Sequence, residues 1–140
     1  MQRALEANLG GKVSAYVVWE PIRYWDREGA ARRNQGLVPD PRASHFWSPD
    51  LGLARRMQGT IGLTTEPAWD IYLVYAADAT WPGDSIPVPA DFMHQLSGRL
   101  PDSKLLDAPR LARLVSGLIT RRAPHEAASS GMVPVSRVAP

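Results

Sequence analysis

The stretch PAWDIYLVY, residues 67–75, is the most apolar run of the chain and begins with a proline. Its β-branched and aromatic residues over 70–75 predict a buried strand, and Pro67 marks the end of the preceding segment. Ala77-Asp78 can turn the chain back, so residues 79–81 are expected to pair with this strand as an antiparallel hairpin. A sheet is therefore expected at the centre of the fold.

Strand and helix signals alternate on both sides of this run. Residues 13–19 (VSAYVVW) are apolar without alternation, which predicts an interior strand covered on both faces. Residues 43–47 (ASHFW) have the length and aromatic content of a second strand. Capping residues and apolar spacing predict helices over 2–9, from Asp26 to about 35, from Ser48 to about 58, over 90–96, and from Asp107 to 119. This order predicts an α/β fold with a mixed sheet, in which an early parallel pair of strands is followed by an antiparallel pair.

The composition is that of one globular domain. The chain has 140 residues, 44% of them apolar, which is enough for a single buried core. We assign the domain to residues 1–119, because residues 120–140 lack periodicity and predict a disordered tail. No stretch reaches the roughly 18 apolar residues of a membrane span, and the start lacks the apolar core of a signal peptide, so a soluble, cytoplasmic protein is expected. The net charge of +2, without a dense basic block, indicates neither nucleic acid nor membrane as a partner.

The chain contains no cysteine, and this absence excludes several kinds of chemistry. Disulfides, thiolate nucleophiles, cysteine-bound zinc and iron–sulfur clusters all need a cysteine sulfur. The sequence also lacks the G-x-S-x-G turn of serine hydrolases and the Gly-Lys-Ser/Thr end of a phosphate-binding loop. We therefore assign no catalytic residue and no cofactor, and we expect the chain not to be an enzyme.

Two histidines are the candidates for a metal site. His45 and His94, together with Asp50, Asp70 or Asp91, offer the two imidazoles and one carboxylate that iron or zinc accepts. Neither histidine has a partner at H-x-H or H-x-x-x-H spacing. We therefore favour histidines that form local hydrogen bonds, and we predict no metal.

Asp70 is unusual because it stands at the start of the most apolar run. A carboxylate in such a position must be exposed, paired or protonated. Arg42, Arg55 and Arg56 are the candidate partners, and we favour a structural ion pair over a general base.

Four segments of the chain resemble, in order and spacing, segments of the thioredoxin-like superfamily, particularly its peroxiredoxin and thiol-disulfide oxidoreductase branch. Residues 15–19 (AYVVW) resemble the strand that follows the cysteine-bearing helix in that family. Residues 45–50 (HFWSPD) resemble its short strand and the aspartate before a helix. Pro67 stands where the family has its cis-proline, and the helix over 107–119 resembles its last helix. The resemblance covers residues 1–119.

The resemblance implies a thioredoxin-like layered fold that lacks the element carrying the redox cysteines. In the family that strand and helix precede the counterpart of residues 15–19, whereas only residues 2–9 stand there in this chain. An N-terminally truncated domain is therefore implied, with a central strand missing between residues 15–19 and 70–75. In an alternative register, residues 16–19 lead into the redox loop, residues 20–26 replace the cysteine motif, and no strand is missing.

The function that the resemblance implies is binding of a protein or peptide partner without catalysis. The candidate binding residues are Glu20 and Pro21 after the first strand, and Pro67 and Trp69 at the start of the apolar run. A cis bond before Pro67 would let this proline line a groove that holds an extended peptide by main-chain hydrogen bonds, whereas a trans bond would make it a simple break before the strand. The alternative function is that of the truncated remainder of a thiol-disulfide oxidoreductase or peroxiredoxin-like enzyme. An apolar strand edge without its neighbour also predicts a homodimer.

Overall fold

The computed structural model describes residues 1–10, 12–65, 67–83 and 85–129, and side chains as far as residue 121. Four α-helices and four strands occur along this part of the chain. In chain order they are α1 (Gln2–Glu6), β1 (Ala15–Trp19), α2 (Glu28–Asn34), β2 (Ala43–Trp47), α3 (Gly52–Ile61), β3 (Ile71–Val74), β4 (Asp91–His94) and α4 (Ala108–Ser129). Short 3-10 turns follow α2 at 35–37 and precede α4 at 102–104. The α/β class expected from the sequence is confirmed.

The four strands form two separate two-stranded sheets. β1 and β2 are parallel, with Ala15 opposite Ala43, and α2 connects them. β3 and β4 are antiparallel, with Ile71 opposite His94. The expected order of a parallel pair followed by an antiparallel pair is confirmed, although the second strand of the antiparallel pair is a different segment. The expected single mixed sheet is wrong, because within the described residues no strand joins the two pairs.

The loop after β3 does not form the hairpin that the sequence predicted. Residues 79–81 are not a strand. Instead the ring of Trp81 packs beside that of Tyr75, with 5.3 Å between the ring centroids, and the Tyr75 hydroxyl donates to the Pro87 carbonyl at 3.1 Å. These contacts fold the proline-rich loop back onto the end of β3, so its antiparallel partner comes later in the chain.

That partner is β4, in a segment where Phe92, Met93 and Leu96 predicted a helix. Phe92 packs in one core cluster with Ile61 of α3, whereas Met93 packs in another cluster with Ala4 of α1. Neighbouring residues that enter opposite sides of a layer follow the period of two of a strand. The helix prediction was wrong because a pattern of three apolar residues is too short to separate the two periods.

β1 is covered on one side only, whereas the sequence predicted cover on both. Ala15 is 6% exposed and packs with Leu5 of α1. Tyr16 is 66% exposed and Val18 is 40% exposed on the opposite side. An apolar run indicates that a strand can be buried on both sides. Whether both sides are buried depends on which helices pack against the strand.

α1 has only five residues, yet it contacts both sheets. Its Leu5 packs with Ala15 of β1, and its Ala4 packs with Met93 of β4 and Leu111 of α4. The predicted short helix at this position is confirmed, although it ends at Glu6. Its two apolar residues connect the β1–β2 sheet to the β3–β4 sheet on one side of the molecule.

A polar network fixes the C-terminal end of α1. Just before β2, Arg42 donates from Nη1 to the Asn8 carbonyl and from Nη2 to the Leu5 carbonyl, both at 2.8 Å. The same guanidinium forms a two-pronged ion pair with Asp40, at 2.9 and 2.7 Å, and these hydrogen bonds lower the pKa of the Asp40 carboxyl to about 2. The Asn8 amide donates to the Ala112 carbonyl of α4 at 3.2 Å. Carbonyl groups at the end of a helix, which lack partners within it, are satisfied here by side chains from other elements.

Two helices begin later than their capping residues predicted. α3 begins at Gly52 instead of directly after Ser48, and the Gly52 N–H donates to the Asp50 carboxylate at 2.8 Å. α2 begins at Glu28, because the Asp26 carboxylate accepts the N–H three residues before it, at 2.8 Å, and so closes a turn. Asp and Ser can bond to nearby backbone groups in turns as well as at helix ends, so their presence places a helix start only approximately.

α4 begins where the sequence placed it, because the Asp107 carboxylate accepts the Arg110 N–H at 2.7 Å. The helix continues to Ser129, past residue 119 where the tail was expected to begin. The residues after 119 lack an apolar stripe, but they include Ala, Arg and Glu, which favour helix. The remainder of the expected tail, residues 130–140, lies outside the described residues.

Candidate functional site

A cleft of about 1340 Å³ separates the two sheets. β1 forms one wall and β3 the other, and most of the lining side chains are apolar. On one side lie Ala4 of α1 with Leu111 and Val115 of α4, and on the other lie Leu53 and Met57 of α3. α1 and α4 pack on one side of β3 and α3 packs on the opposite side, so the cleft has helices on both sides.

The first wall of the cleft is the unpaired edge of β1. The backbone groups of Ala15 and Trp19 form hydrogen bonds toward β2, each at 2.9 Å. Because bonding directions alternate along a strand, the N–H and C=O groups of Tyr16 and Val18 point away from β2 and into the cleft.

The opposite wall is the unpaired edge of β3. The carbonyls of Asp70 and Val74 accept hydrogen bonds from the β4 side, at 3.2 and 2.8 Å. The same alternation directs the backbone groups of Ile71 and Leu73 into the cleft. In the part of the chain that the structure describes, no backbone hydrogen bond joins β1 to β3. Two strand edges therefore face one apolar space, without a strand between them.

The indole of Trp19 is held in a fixed orientation at the cleft. Its Nε1–H donates to Nδ1 of His45 at 3.2 Å, and the two rings stack with 16° between their planes. His45 Nε2 bonds to the Val38 carbonyl at 3.1 Å, so the hydrogen-bond pattern assigns the proton to Nε2. Trp69 and Trp81 also line the cleft, which gives it three indole rings.

His94 is fully buried and supports the fold. Its Nε2 bonds to the Pro101 carbonyl and its Nδ1 accepts the Leu96 N–H, both at 3.0 Å. Since both ring nitrogens of His45 are likewise occupied, the prediction of local hydrogen bonding is confirmed for both histidines. Among the described residues, no three His, Asp or Glu side chains gather as the ligands of a metal ion would.

The structure places two of the four predicted binding residues at the cleft. Glu20 and Trp69 line the cleft, but Pro21 and Pro67 are not among its described lining residues. Both prolines are partly buried. The bond before Pro67 involves residue 66, so the choice between a cis and a trans bond lies outside the described residues.

Glu20 connects the end of β1 to the start of α3. Its carboxylate accepts the N–H of Leu53 at 3.0 Å and that of Ala54 at 2.9 Å. These donors are unsatisfied within the first turn of a helix, and the positive end of the helix dipole favours an anion there. Burial raises the pKa of the Glu20 carboxyl, and the two backbone hydrogen bonds oppose that rise. Glu20 therefore positions α3 beside the cleft. This role could not be predicted from the sequence, because Glu20 is far from α3 along the chain.

Asp70 is not the ion-pair residue that the sequence predicted. Its carboxylate is exposed, and within the described part of the chain it has no ion-pair partner. Arg42, one of the candidate partners, binds Asp40 instead. Asp70 also has a φ of 50°, in the left-handed region that Asp tolerates better than most residues. It therefore acts as a bend that leads the chain into β3.

The missing central strand that the resemblance implies stays a prediction. A missing strand was expected between residues 15–19 and 70–75, and the cleft lies between β1 and β3. The lining that α3 and α4 contribute was not predicted from the sequence. The apolar stripe of α4 was visible in the sequence, but a stripe alone does not indicate which sheet it faces.

Comparisons of the chain with protein-family models, with curated proteins and with solved structures find no match. In the residues that the structure describes, no helix is both long enough and apolar enough to cross a bilayer. The class of protein that the geometry defines is an α/β domain with two small sheets and an apolar cleft between them. The thioredoxin-like assignment stays a prediction.

Proposed function

We propose that this chain is a non-catalytic α/β binding domain whose cleft holds an extended polypeptide segment between β1 and β3. The main support for this proposal is that β1 and β3 each have an edge without a partner strand, and that both edges face the same apolar space. An extended segment placed there would accept and donate main-chain hydrogen bonds on both of its sides, which is recognition by strand addition.

The dimensions of the cleft favour a chain segment over a small molecule. Small-molecule pockets have volumes of roughly 300–1,000 Å³, and the cleft of about 1340 Å³ is larger. β1 has five residues, which at about 3.3 Å per residue gives a wall roughly 16 Å long. A segment of about five residues would match that wall.

The energetic reason for binding is the state of the two edges without a partner. Among the described residues, no backbone hydrogen bond joins the two edges, and a segment placed between them would pair with the N–H and C=O groups of both. An added segment supplies those bonds and also covers apolar surface, at about 25 cal/mol for each Å² removed from water. Exposed strand edges beside apolar surface are ready templates for pairing with another chain.

The same arrangement supports a thioredoxin-like order for the whole domain. The strands occur as β2, β1, cleft, β3 and β4, with the cleft where the resemblance implies a missing central strand. This order favours the register in which a strand is missing over the one in which residues 20–26 replace the cysteine motif.

A direct test of binding uses a synthetic nine-residue peptide with five consecutive Val and Ile residues between Ser-Gly flanks. We expect the peptide to slow hydrogen exchange at the amides of Tyr16, Val18, Ile71 and Leu73, because these N–H groups point into the cleft. A peptide with proline at its centre is the matched control, since it lacks a donor and cannot pair on both sides. No protection of these four amides at millimolar peptide would reject the proposal.

A cleft-filling variant tests the site independently of the peptide design. Val115→Trp places a larger side chain on a residue that lines the cleft, and Leu114→Trp places the same side chain on a residue of α4 that does not. We expect only Val115→Trp to abolish the protection. Equal loss in both variants would show that the effect is not specific to the cleft.

The second candidate function is that of the remainder of a thiol-disulfide oxidoreductase or peroxiredoxin-like enzyme. The observation that favours it is the position of the cleft, which corresponds to the strand that leads into the redox cysteines of that family. Reading the coding DNA upstream of Met1 decides it. An in-frame strand followed by C-x-x-C would support this candidate, and a stop codon immediately upstream would exclude it.

A further inference from the structure

The two sides of the cleft differ in how far helices cover them. On the side of α1 and α4, Leu111 belongs to one core cluster with Ala4 of α1, and Tyr72 of β3 packs against that cluster. On the same side α1 also covers β1, because its Leu5 packs with Ala15. Helices therefore cover both walls of the cleft on this side, which we call the closed side.

The opposite side of the cleft, that of α3, is covered along β3 but not along β1. Met57 of α3 packs against the same core cluster as Ile71 and Leu73 of β3. Along β1, Tyr16 is 66% exposed and Val18 is 40% exposed, although both line the cleft. We call this the open side, because side chains placed there beside β1 would stay in contact with water.

α4 extends its apolar stripe beyond the core cluster that it shares with α1. Val115, Leu118 and Ile119 line the cleft together with Leu111. All three are partly buried, but among the described residues none of them packs against a core cluster. Every described lining residue that α1 and α4 contribute is apolar. The closed side therefore offers an occupant an apolar surface to which neither helix adds a polar side chain.

A carboxylate of the cleft lies on the open side. Glu20 stands two residues after Val18, and its carboxylate accepts the N–H groups of Leu53 and Ala54 at the start of α3. A polar side chain placed on this side would keep its contact with water. A polar side chain on the closed side would meet apolar groups instead, and burial without a hydrogen bond costs free energy.

Building on the proposed function, we infer that the occupant of the cleft is an amphipathic strand of a partner protein, in which apolar and polar residues alternate. The side chains of a strand point alternately to its two sides. The apolar residues of the occupant face α1 and α4 on the closed side, and its polar residues face the open side. Strands of a sheet that is covered on one side and in contact with water on the other have this alternation.

Two nine-residue peptides of equal composition test the alternation. The alternating peptide has Val-Thr-Val-Thr-Val between Ser-Gly flanks, and the shuffled peptide has Val-Val-Thr-Thr-Val between the same flanks. No register of the shuffled peptide places more than two Val side chains on the closed side. We expect the alternating peptide to bind at least about fivefold more tightly, because the shuffled peptide places a Thr hydroxyl against apolar groups. Equal affinity of the two peptides would overturn the inference.

Nuclear Overhauser effects between peptide and protein show which side each peptide residue faces. In the complex with the alternating peptide, we expect contacts from the Val methyl groups to Leu118 and Ile119. We expect the Thr methyl groups to contact the ring of Tyr16 instead. Contacts of the Thr methyl groups with Leu118 or Ile119 would overturn the inference.

A variant of α4 assigns the apolar side of the peptide to the closed side. Leu118→Ser should weaken binding of the alternating peptide at least about fivefold, because Leu118 lines the cleft. Leu114→Ser is the matched control and should leave the affinity unchanged, because Leu114 lies on the same helix but is not a lining residue. Equal weakening in both variants would overturn the assignment to the closed side.

The outcomes also distinguish this inference from the proposed function. Both peptides could protect the amides of Tyr16, Val18, Ile71 and Leu73 with equal affinity. That result would overturn the alternation and leave strand addition intact. No protection of these amides by either peptide at millimolar concentration would overturn both.

Discussion

The two sheets of this protein are built from similar apolar residues, but they are buried to very different degrees. In the β3–β4 sheet, Met93 and His94 are fully buried, with α3 on one side and α1 and α4 on the other. In the β1–β2 sheet, Tyr16 and Phe46 are 66% and 51% exposed. The comparison teaches that burial depends on how many helices reach a sheet, since β-branched and aromatic composition is common to both.

The two sheets are also held in different ways. Apolar packing against helices holds the β3–β4 sheet. The β1–β2 sheet is tied to its neighbours by the packing of Ala15 against Leu5 of α1. Polar contacts at its ends add to this, where Arg42 binds α1 and Glu20 binds α3.

Truncation of buried apolar side chains should therefore cost most in the β3–β4 sheet. Changes of pH should act on both sheets, through Asp40 and Glu20 beside the β1–β2 sheet and through Asp91 of β4, which forms ion pairs with Lys104 and Arg110.

The largest expected effect is that of truncating the core of the β3–β4 sheet. Met93→Ala should lower the free energy of unfolding by about 2–5 kcal/mol, because it removes a fully buried side chain and leaves a cavity. Val18→Ala in β1 is the matched control and should cost less than about 1 kcal/mol, since Val18 is partly exposed. Urea unfolding measures both. Equal losses would contradict the difference in burial.

His94→Ala should lower the free energy of unfolding by about 3 kcal/mol. The substitution leaves the Leu96 N–H and the Pro101 carbonyl without their bonds to the ring, and an unsatisfied buried group costs about 1–3 kcal/mol. His45→Ala in the other sheet should cost less, because His45 is only partly buried. Thermal unfolding of the two variants checks the order, and a larger loss for His45→Ala would contradict it.

Glu20→Ala should cost about 1 kcal/mol, the typical effect of removing a helix cap. Because burial raises the pKa of Glu20, the folded state binds its proton more readily than the unfolded state. The stability contributed by this group should therefore fall as pH rises above about 4.3, the ordinary pKa of Glu. Glu20→Gln should remove that part of the pH dependence, as measured by urea unfolding at several pH values. An unchanged slope would show that Glu20 is not its source.

Asp40 should make the stability of the fold depend on pH in the opposite direction, and at lower pH than Glu20 does. The hydrogen bonds from Arg42 lower its pKa to about 2, below the value of about 3.9 in an unfolded chain. Its contribution is fully present above about pH 4 and is lost as the pH falls toward 2. Asp40→Asn should flatten stability over that range and speed amide exchange in α1 more than in β3 and β4. Uniform acceleration in all three elements would argue against a local role in holding α1.

The smallest effect is expected at the exposed apolar side chains of Tyr16 and Phe46. Tyr16→Ser and Phe46→Ser should each change the free energy of unfolding by no more than about 0.5 kcal/mol, because surface substitutions outside special contacts have little effect. Chemical denaturation checks this, and losses near those of Met93→Ala would show that these side chains belong to a buried core. Near-neutral substitutions would agree with the exposure of both side chains.

Local signals predicted a large part of this fold. The strand over 43–47 matches β2 to the residue, and β1 lies within the run at 13–19. The Asp107 cap marks the start of α4, because a cap depends on atoms only a few residues away.

Most of what the sequence concealed involves contacts between distant segments. Glu20 binds backbone groups more than 30 residues away, and nothing in the residues around it indicates that partner. Arg42 was a candidate partner of Asp70 on the basis of charge alone, yet it binds Asp40, two residues before it. Opposite charges indicate which residues could form an ion pair, whereas the path of the chain determines which of these residues lie close enough to do so.

The sequence by itself determined the α/β order, the residues of the main strands, the cap of α4 and the absence of thiol chemistry, because each depends on side chains or on neighbours within a few residues. Only the tertiary structure decided that β3 pairs with β4, that one side of β1 stays open, and that two strand edges meet across a cleft. These features depend on which distant segments come together. That choice is set by the balance of packing, backbone hydrogen bonding and chain entropy over the whole domain.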